Sequence, residues 1–232
     1  MTDWLSPDDW RAVALSLRVA FWATLLSLPF GLLTAYALAR WTFPGKQIVN
    51  GLVHLPLILP PVVTGYLLLL AFGRQGWIGQ YLDQWFGIVL AFRWTGAALA
   101  AAVMAFPLMV RAMRLAIEAV DARLEQAAGT LGAAPPLVFA TVTLPLILPG
   151  ILAGAILAFA KAMGEFGATI TFVSNIPGQT QTLPSAIYAR LQVPGGAEEA
   201  TRLVIVAIVI AMAALALSEW ISRAIARRIG QS

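Results

Sequence analysis

LEQAAGTLGAAPPLVFATVTLPLILP, residues 124–149, decides how the rest of the chain is to be read. Small residues, a carboxylate, a glycine and paired prolines interrupt an otherwise apolar sequence here, so this stretch cannot be a lipid-facing span. It must meet something soluble. Glu125, Gln126, Ala127 and Ala128 favour a short helix. Gly132 allows a turn, and Pro135 and Pro136 suit the first turn of a following helix. The alanines leave the short helix thin enough to enter a groove in another protein. Val142, Leu144 and Pro145 then head a long apolar run that ties it to a membrane span.

Composition points the same way. The chain has 232 residues, of which 60% are hydrophobic and 11% charged, against roughly 25% charged in soluble domains. It belongs in a bilayer. With no cysteine and one histidine, His54, disulfides, thiolate catalysis and cysteine or histidine clusters are excluded. The net charge of +4 does not indicate nucleic-acid binding, because the arginines sit at the ends of apolar runs and form no patch. The start, MTDWLSPDDWRAV, lacks the basic region and small-residue cleavage site of a secretory signal. Ser6 is expected to cap a helix that begins at Pro7 and is retained as a span.

A hydrocarbon core about 30 Å thick needs roughly 20 helical residues. Five segments qualify, at about 12–39, 48–72, 88–113, 136–163 and 202–224. Arg40 and Lys46, then Arg111, Arg114 and Arg123, then Arg223, Arg227 and Arg228 flank them on one side; Asp3, Asp8, Asp9, Asp83, Glu198 and Glu199 lie on the other. The positive-inside rule therefore places the N-terminus outside, the C-terminus in the cytoplasm, and the Glu125 to Pro136 loop where a cytoplasmic partner can reach it.

Inside the spans, polar and helix-breaking residues mark special places. The second contains HLPLILPPVVTGY, whose Pro56, Pro60 and Pro61 predict a kink facing protein or a cavity. Alanines 97–102 predict close packing of the third span. The fourth has breaks expected at Leu144-Pro145 and Pro149-Gly150, and ends in AKAMGEFGATITF, where Lys161 and Glu165 stand at i and i+4. That pair either stabilises the outer end of the helix or faces a wet cavity. Gly164 and Gly167 flank the glutamate and permit an opening or a close helix crossing. Residues 183–192 suggest a short amphipathic helix within the longest external segment. No phosphate-cradling G-x-x-x-x-G-K-[ST] occurs, nor any H-E-x-x-H or G-x-S-x-G, so catalysis by this polypeptide is not expected.

The loop resembles the signature of the inner-membrane permeases of binding-protein-dependent ABC importers, E-A-A-x-x-x-G, nine residues, then I-x-L-P. The match runs through Gln126, Ala127, Ala128, Gly132, Val142, Leu144 and Pro145, with Gln126 where the family has glutamate. Glu125 is adjacent but turned about 100° away on a helix. LPLILPPVVTGY, AKAMGEFGAT, NIPGQTQTLPSAIY and VPGG, with RWTFPGK, narrow the resemblance to the molybdate-type permeases of the sulfate, molybdate and tungstate branch, over nearly the whole chain.

The resemblance implies an all-α type I importer permease fold, with about five transmembrane helices and a short cytoplasmic coupling helix. It implies one permease domain over 1–232, a coupling loop at about 117–137 and an external loop at about 166–201. Expected partners are a second copy of the chain, two cytoplasmic ATPase subunits, a periplasmic oxyanion-binding protein and the lipid of a bacterial inner membrane. ATP and magnesium would be bound by the ATPase, and no cofactor by this chain. Glu125, Gln126, Ala127, Ala128, Gly132, Leu144 and Pro145 become the candidate ATPase contact. Pro60, Pro61, Thr64, Gly65, Lys161, Gly164, Glu165, Gly167 and Thr169 become candidates for a molybdate pathway or gate. A sulfate, thiosulfate or tungstate permease is the nearest alternative. An ion-coupled secondary transporter would need inverted repeats and acids deep within spans, and neither is evident.

Overall fold

The computed structural model describes the backbone of residues 4–229, and the side chains of 4–217 and Trp220. Asp3, Glu219, Arg223, Arg227 and Arg228 lie outside the described side chains. Among the described residues every regular element is helical.

Helix α1 (Pro7–Arg40) starts as expected: Ser6 Oγ accepts the Asp9 N–H, and Asp9 Oδ2 accepts the Ser6 N–H, a reciprocal cap that satisfies two otherwise orphaned donors. Helices α2 (Lys46–Ile58) and α3 (Pro61–Phe72) follow, meeting at a bend of 115°. At 1.5 Å per residue neither half alone approaches the roughly 30 Å of a hydrocarbon core. Among the described residues four helices are long and apolar enough to cross a membrane, or five if the bent pair is one span. Leu59-Pro60 is a full corner, sharper than the kink expected. Pro60 and Pro61 cannot donate to the turn before them, and Leu59 turns extended (ψ 143°).

Helix α4 (Gly79–Phe86) is short and amphipathic. Helix α5 (Trp94–Glu118) begins later and ends later than the expected 88–113. Residues 88–93 are apolar but not helical, because Phe92 adopts φ 58° and the segment folds back until Leu90 O lies 2.2 Å from where a Gly96 Cβ would stand. Helix α6 (Ala122–Thr130) is followed by a continuous run made of α7 (Pro135–Val138), a π-helical turn at Phe139–Thr143 and α8 (Leu144–Met163). Neither expected break materialises: Pro145 falls in the first turn of α8, and Pro149 is carried inside it. The π-turn takes up the irregularity instead.

Helix α8 stops at Met163, and α9 (Gly167–Val173) continues after a three-residue corner. Helix α9 is buried at Ala168, Thr169, Phe172 and Val173, so the first part of the segment expected as an external loop is packed helix. Helices α10 (Leu183–Leu191) and α11 (Ala197–Ile229) complete the chain.

The core forms around α5, with α1 and α8 packed against it. The alanine stripe is the reason: Ala97, Ala98, Ala100 and Ala101 are buried, and Met104, Met109 and Met113 fill the seams. A Cβ at Gly31 of α1 would stand 2.8 Å from Met109 Sδ, and one at Gly154 of α8 would stand 3.0 Å from Met109 O. Small residues let the backbones approach closely, which is how helices gain packing energy in lipid.

Each end of this bundle carries its own set of ion pairs. At one end Arg40 approaches Glu125, and Arg114 donates to Asn50 and pairs with Glu118. At the other, Arg190 bridges Asp9 and Glu199, while Arg202 pairs with Glu198 and donates to Trp4 O. The second network fastens the N-terminal turn to α10 and α11.

Candidate functional site

Helix α6 starts at Asp121, whose side chain accepts the Arg123 N–H at 2.9 Å, and it buries no residue against its own chain. It ends at Thr130, and Gly132 turns the chain with φ 85°. A Cβ at Gly129 or Gly132 would meet nothing within 4 Å. Gln126, Ala127 and Leu131 are exposed, Leu131 at 88%. A short helix with small, unpartnered side chains and a bare leucine at its end is a surface that lacks its counterpart.

Glu125 explains how that surface is held. It faces inward, away from Gln126. Thr143 Oγ1 donates to Glu125 Oε1 at 2.7 Å, and Arg40 Nη2 reaches the same oxygen at 3.4 Å while donating to Val120 O at 3.1 Å. Thr143 is the last residue of the π-turn and is 1% exposed. One carboxylate therefore joins α6 to the end of α1 and to the head of α8. The sequence pointed to Glu125 but not to Arg40 or Thr143, because neither contact has a local spacing that would reveal it.

The pathway candidates gather about 30 Å away, the length of the 20-residue α8. Lys161 Nζ donates to Glu165 Oε2 at 2.7 Å. Because α8 has ended, the pair crosses a corner and does not lie along one helix face. Glu165 Oε1 accepts the Ala168 N–H at 3.0 Å and so caps α9. The glutamate side chain is 1% exposed and the lysine 30%.

Gly65 and Gly167 bring α3 and α9 together. Added Cβ atoms would stand 2.5 Å from Ala168 O and 2.7 Å from Pro61 Cβ, respectively. Gly164 has room around it and serves the corner alone. Thr169 is buried and gives its hydroxyl to Phe166 O at 2.9 Å. Thr64 is also buried, and its hydroxyl has no protein partner. Pro60, Pro61, Gly65, Gly167 and Thr169 thus form one crossing, with Lys161 and Glu165 at its corner, while Leu144 and Pro145 belong to the α6 end. Among the described residues no group of side chains could hold a metal ion.

A family model described as binding-protein-dependent transport system inner membrane component matches residues 27–231. The chain belongs to that family. It is a multi-pass inner membrane component of a transport system. The molybdenum transport system permease protein ModB of Escherichia coli (strain K12) is 60% identical over 227 residues, covering 98% of this chain and 99% of that protein. The protein of the same name from Haemophilus influenzae is 56% identical over 95% of this chain and 96% of its own length. A probable sulfate transport system permease protein of Chlorokybus atmophyticus is 36% identical over 82% of this chain. Among solved structures, a bacterial ABC transporter importing the acidic polysaccharide alginate superposes with TM-score 0.74 at 19% identity, over 94% of this chain and 80% of that one. The MetNI methionine ABC transporter in an inward-facing conformation gives 0.69 at 16%, over 94% of each chain. These establish the type I importer permease fold expected from the loop.

For this family member the Arg40 contact has a measurable consequence. Arg40→Ala leaves Glu125 with Thr143 alone and frees Val120 O. The tie is partly exposed, and its loss costs about 1 kcal/mol. Transport by the assembled importer is expected to fall about fivefold, with membrane insertion unchanged, as measured by uptake and membrane-fraction immunoblotting. Unchanged uptake would mean α1 is not held through Arg40.

Proposed function

We propose that this chain is the permease subunit through which a bacterial ABC importer carries molybdate across the inner membrane, with ATP hydrolysed by a separate cassette subunit. The observation carrying the reading is the identity of 60% over nearly the full length of both this chain and a protein named as a molybdenum transport permease. The α6 surface supports the mechanical part: it is small, exposed and fixed to two spans. The basic residues that flank the spans on the α6 side, Arg40, Lys46, Arg111, Arg114 and Arg123, support a cytoplasmic α6 and an N-terminus in the periplasm.

Two copies of the chain pair, since five helices make a poor tube and two-fold assemblies are common. Two cassette subunits grip the two α6 helices through Gln126, Ala127, Ala128 and Gly132. A periplasmic binding protein docks at the opposite end, near α10, and releases its oxyanion there. Closure of the cassettes upon ATP shifts both α6 helices, and Glu125 passes the displacement to α1 and α8. The crossing of α3 and α9 then opens alternately to each side. Lys161 and the Thr64 hydroxyl meet the anion there weakly, because a conducting site must also release its cargo. No cofactor binds to this chain; ATP and magnesium stay with the cassette.

Purification of the chain co-expressed with the neighbouring transporter subunits should yield a nucleotide-binding protein at equal copy number. Proteoliposomes of that complex should take up radiolabelled molybdate only with ATP inside and binding protein outside. Excess sulfate should leave uptake unaffected. Sulfate competing as well as molybdate would replace the cargo assignment, in line with the sulfate relative at 36% identity. ATP-independent uptake would overturn the class.

A further inference from the structure

A cavity of about 870 Å³ opens between α1, α2 and α5. It does not belong to the proposed anion route: none of Thr64, Lys161 or Glu165 lines it, and its walls are apolar except for Ser27 and Thr95. Leu26 and Phe30 of α1, Leu52 and Pro56 of α2, and Leu99 and Phe106 of α5 form its sides. Helix α2 buries no residue of its own, and beyond the 115° corner after Ile58 α3 reaches the cavity only through Phe72. A hydrated oxyanion has nothing to gain in such a space.

One end of the groove is charged. Trp94, the first residue of α5, lines that end, and the Arg18 guanidinium carbon lies 3.8 Å from the centre of its ring. Arg93 precedes Trp94, and both arginines are exposed. Among the described residues neither makes an ion pair. An arginine within an apolar helix is costly unless it meets an anion or water, and a tryptophan at a helix start belongs at the headgroup level. Trp94 to Phe106 extends about 18 Å along α5, close to the roughly 15 Å that one leaflet contributes to the hydrocarbon core.

We infer that this groove holds one acyl chain of a phospholipid whose phosphate sits on Arg18 and Arg93. The match is of length and of charge: a leaflet-long apolar trough, closed on one side by α5, with two unpaired cations at its headgroup end. The bound lipid fills the space beneath the α2–α3 corner.

The test is retention of lipid by the whole purified transporter. The complex is reconstituted with phosphatidylglycerol, exchanged into detergent and examined by native mass spectrometry. One phosphatidylglycerol per copy of this chain is expected to survive. Arg18→Ala should lower retention about fivefold, the effect of losing one cation beside an anionic headgroup, and Arg18→Lys should restore part of it. Ala102→Phe, which fills the trough, should abolish retention, with unchanged recovery of the assembled complex as the check on folding. Undiminished retention in either Arg18→Ala or Ala102→Phe would overturn the site. So would a disulfide between two copies of a Leu26→Cys variant, for a second copy would then cover the groove; the chain has no native cysteine to confuse that result.

Discussion

Gly132→Leu is expected to lower ATP-driven transport by at least about tenfold while leaving membrane insertion intact. Two causes combine. Gly132 holds φ 85°, where a residue with a Cβ costs about 1–2 kcal/mol, and a factor of ten corresponds to about 1.4 kcal/mol. The Cβ itself would meet nothing within 4 Å in this chain, so a leucine there projects into the space proposed for the cassette subunit. Gly132→Asn separates the causes, since asparagine tolerates the left-handed region. An asparagine variant that still co-purifies with the cassette and transports would assign the glycine to the turn. One that loses the cassette would assign it to close approach. A leucine variant transporting at the normal rate would remove α6 from the coupling route.

Residues with a local periodicity were legible in the sequence, and those whose roles depend on distant contacts were not. The cap at Ser6, the alanine stripe of α5, the short α6 helix and the turn at Gly132 follow from neighbours within a few positions, and all stand as expected. Hydropathy located the spans but misplaced the start of α5, because the average over Ile88, Val89, Leu90, Ala91 and Phe92 cannot register that Phe92 takes a positive φ. Proline spacing indicated a bend after Ile58 but not a corner of 115°. That angle depends on α9 packing against α3 through Gly65 and Gly167, two positions far apart in the chain. Glu125 could be singled out from the loop, yet its partners Arg40 and Thr143 come from two other helices.

Lys161→Met is expected to destabilise the assembled transporter strongly, because it strands the Glu165 carboxylate, 1% exposed, with the Ala168 N–H as its remaining donor. Removing one member of a buried pair costs about 3–5 kcal/mol, and the partial exposure of Lys161 places this case toward the lower end. At about 2–4 °C per kcal/mol for a chain of this size, the thermal midpoint should fall by about 6–12 °C. The double variant Lys161→Met with Glu165→Gln should recover most of that loss: the amide oxygen can still accept the Ala168 N–H and cap α9, and no ion remains unpaired. Transport by the double variant distinguishes the two uses of the pair. If Lys161 meets the oxyanion at the crossing of α3 and α9, the midpoint returns while uptake stays at least about tenfold low, the loss of a charge-assisted hydrogen bond worth about 1.5–3 kcal/mol. If the double variant regains full uptake together with its midpoint, the pair is only a fastener between α8 and α9, and the anion must find its positive charge elsewhere.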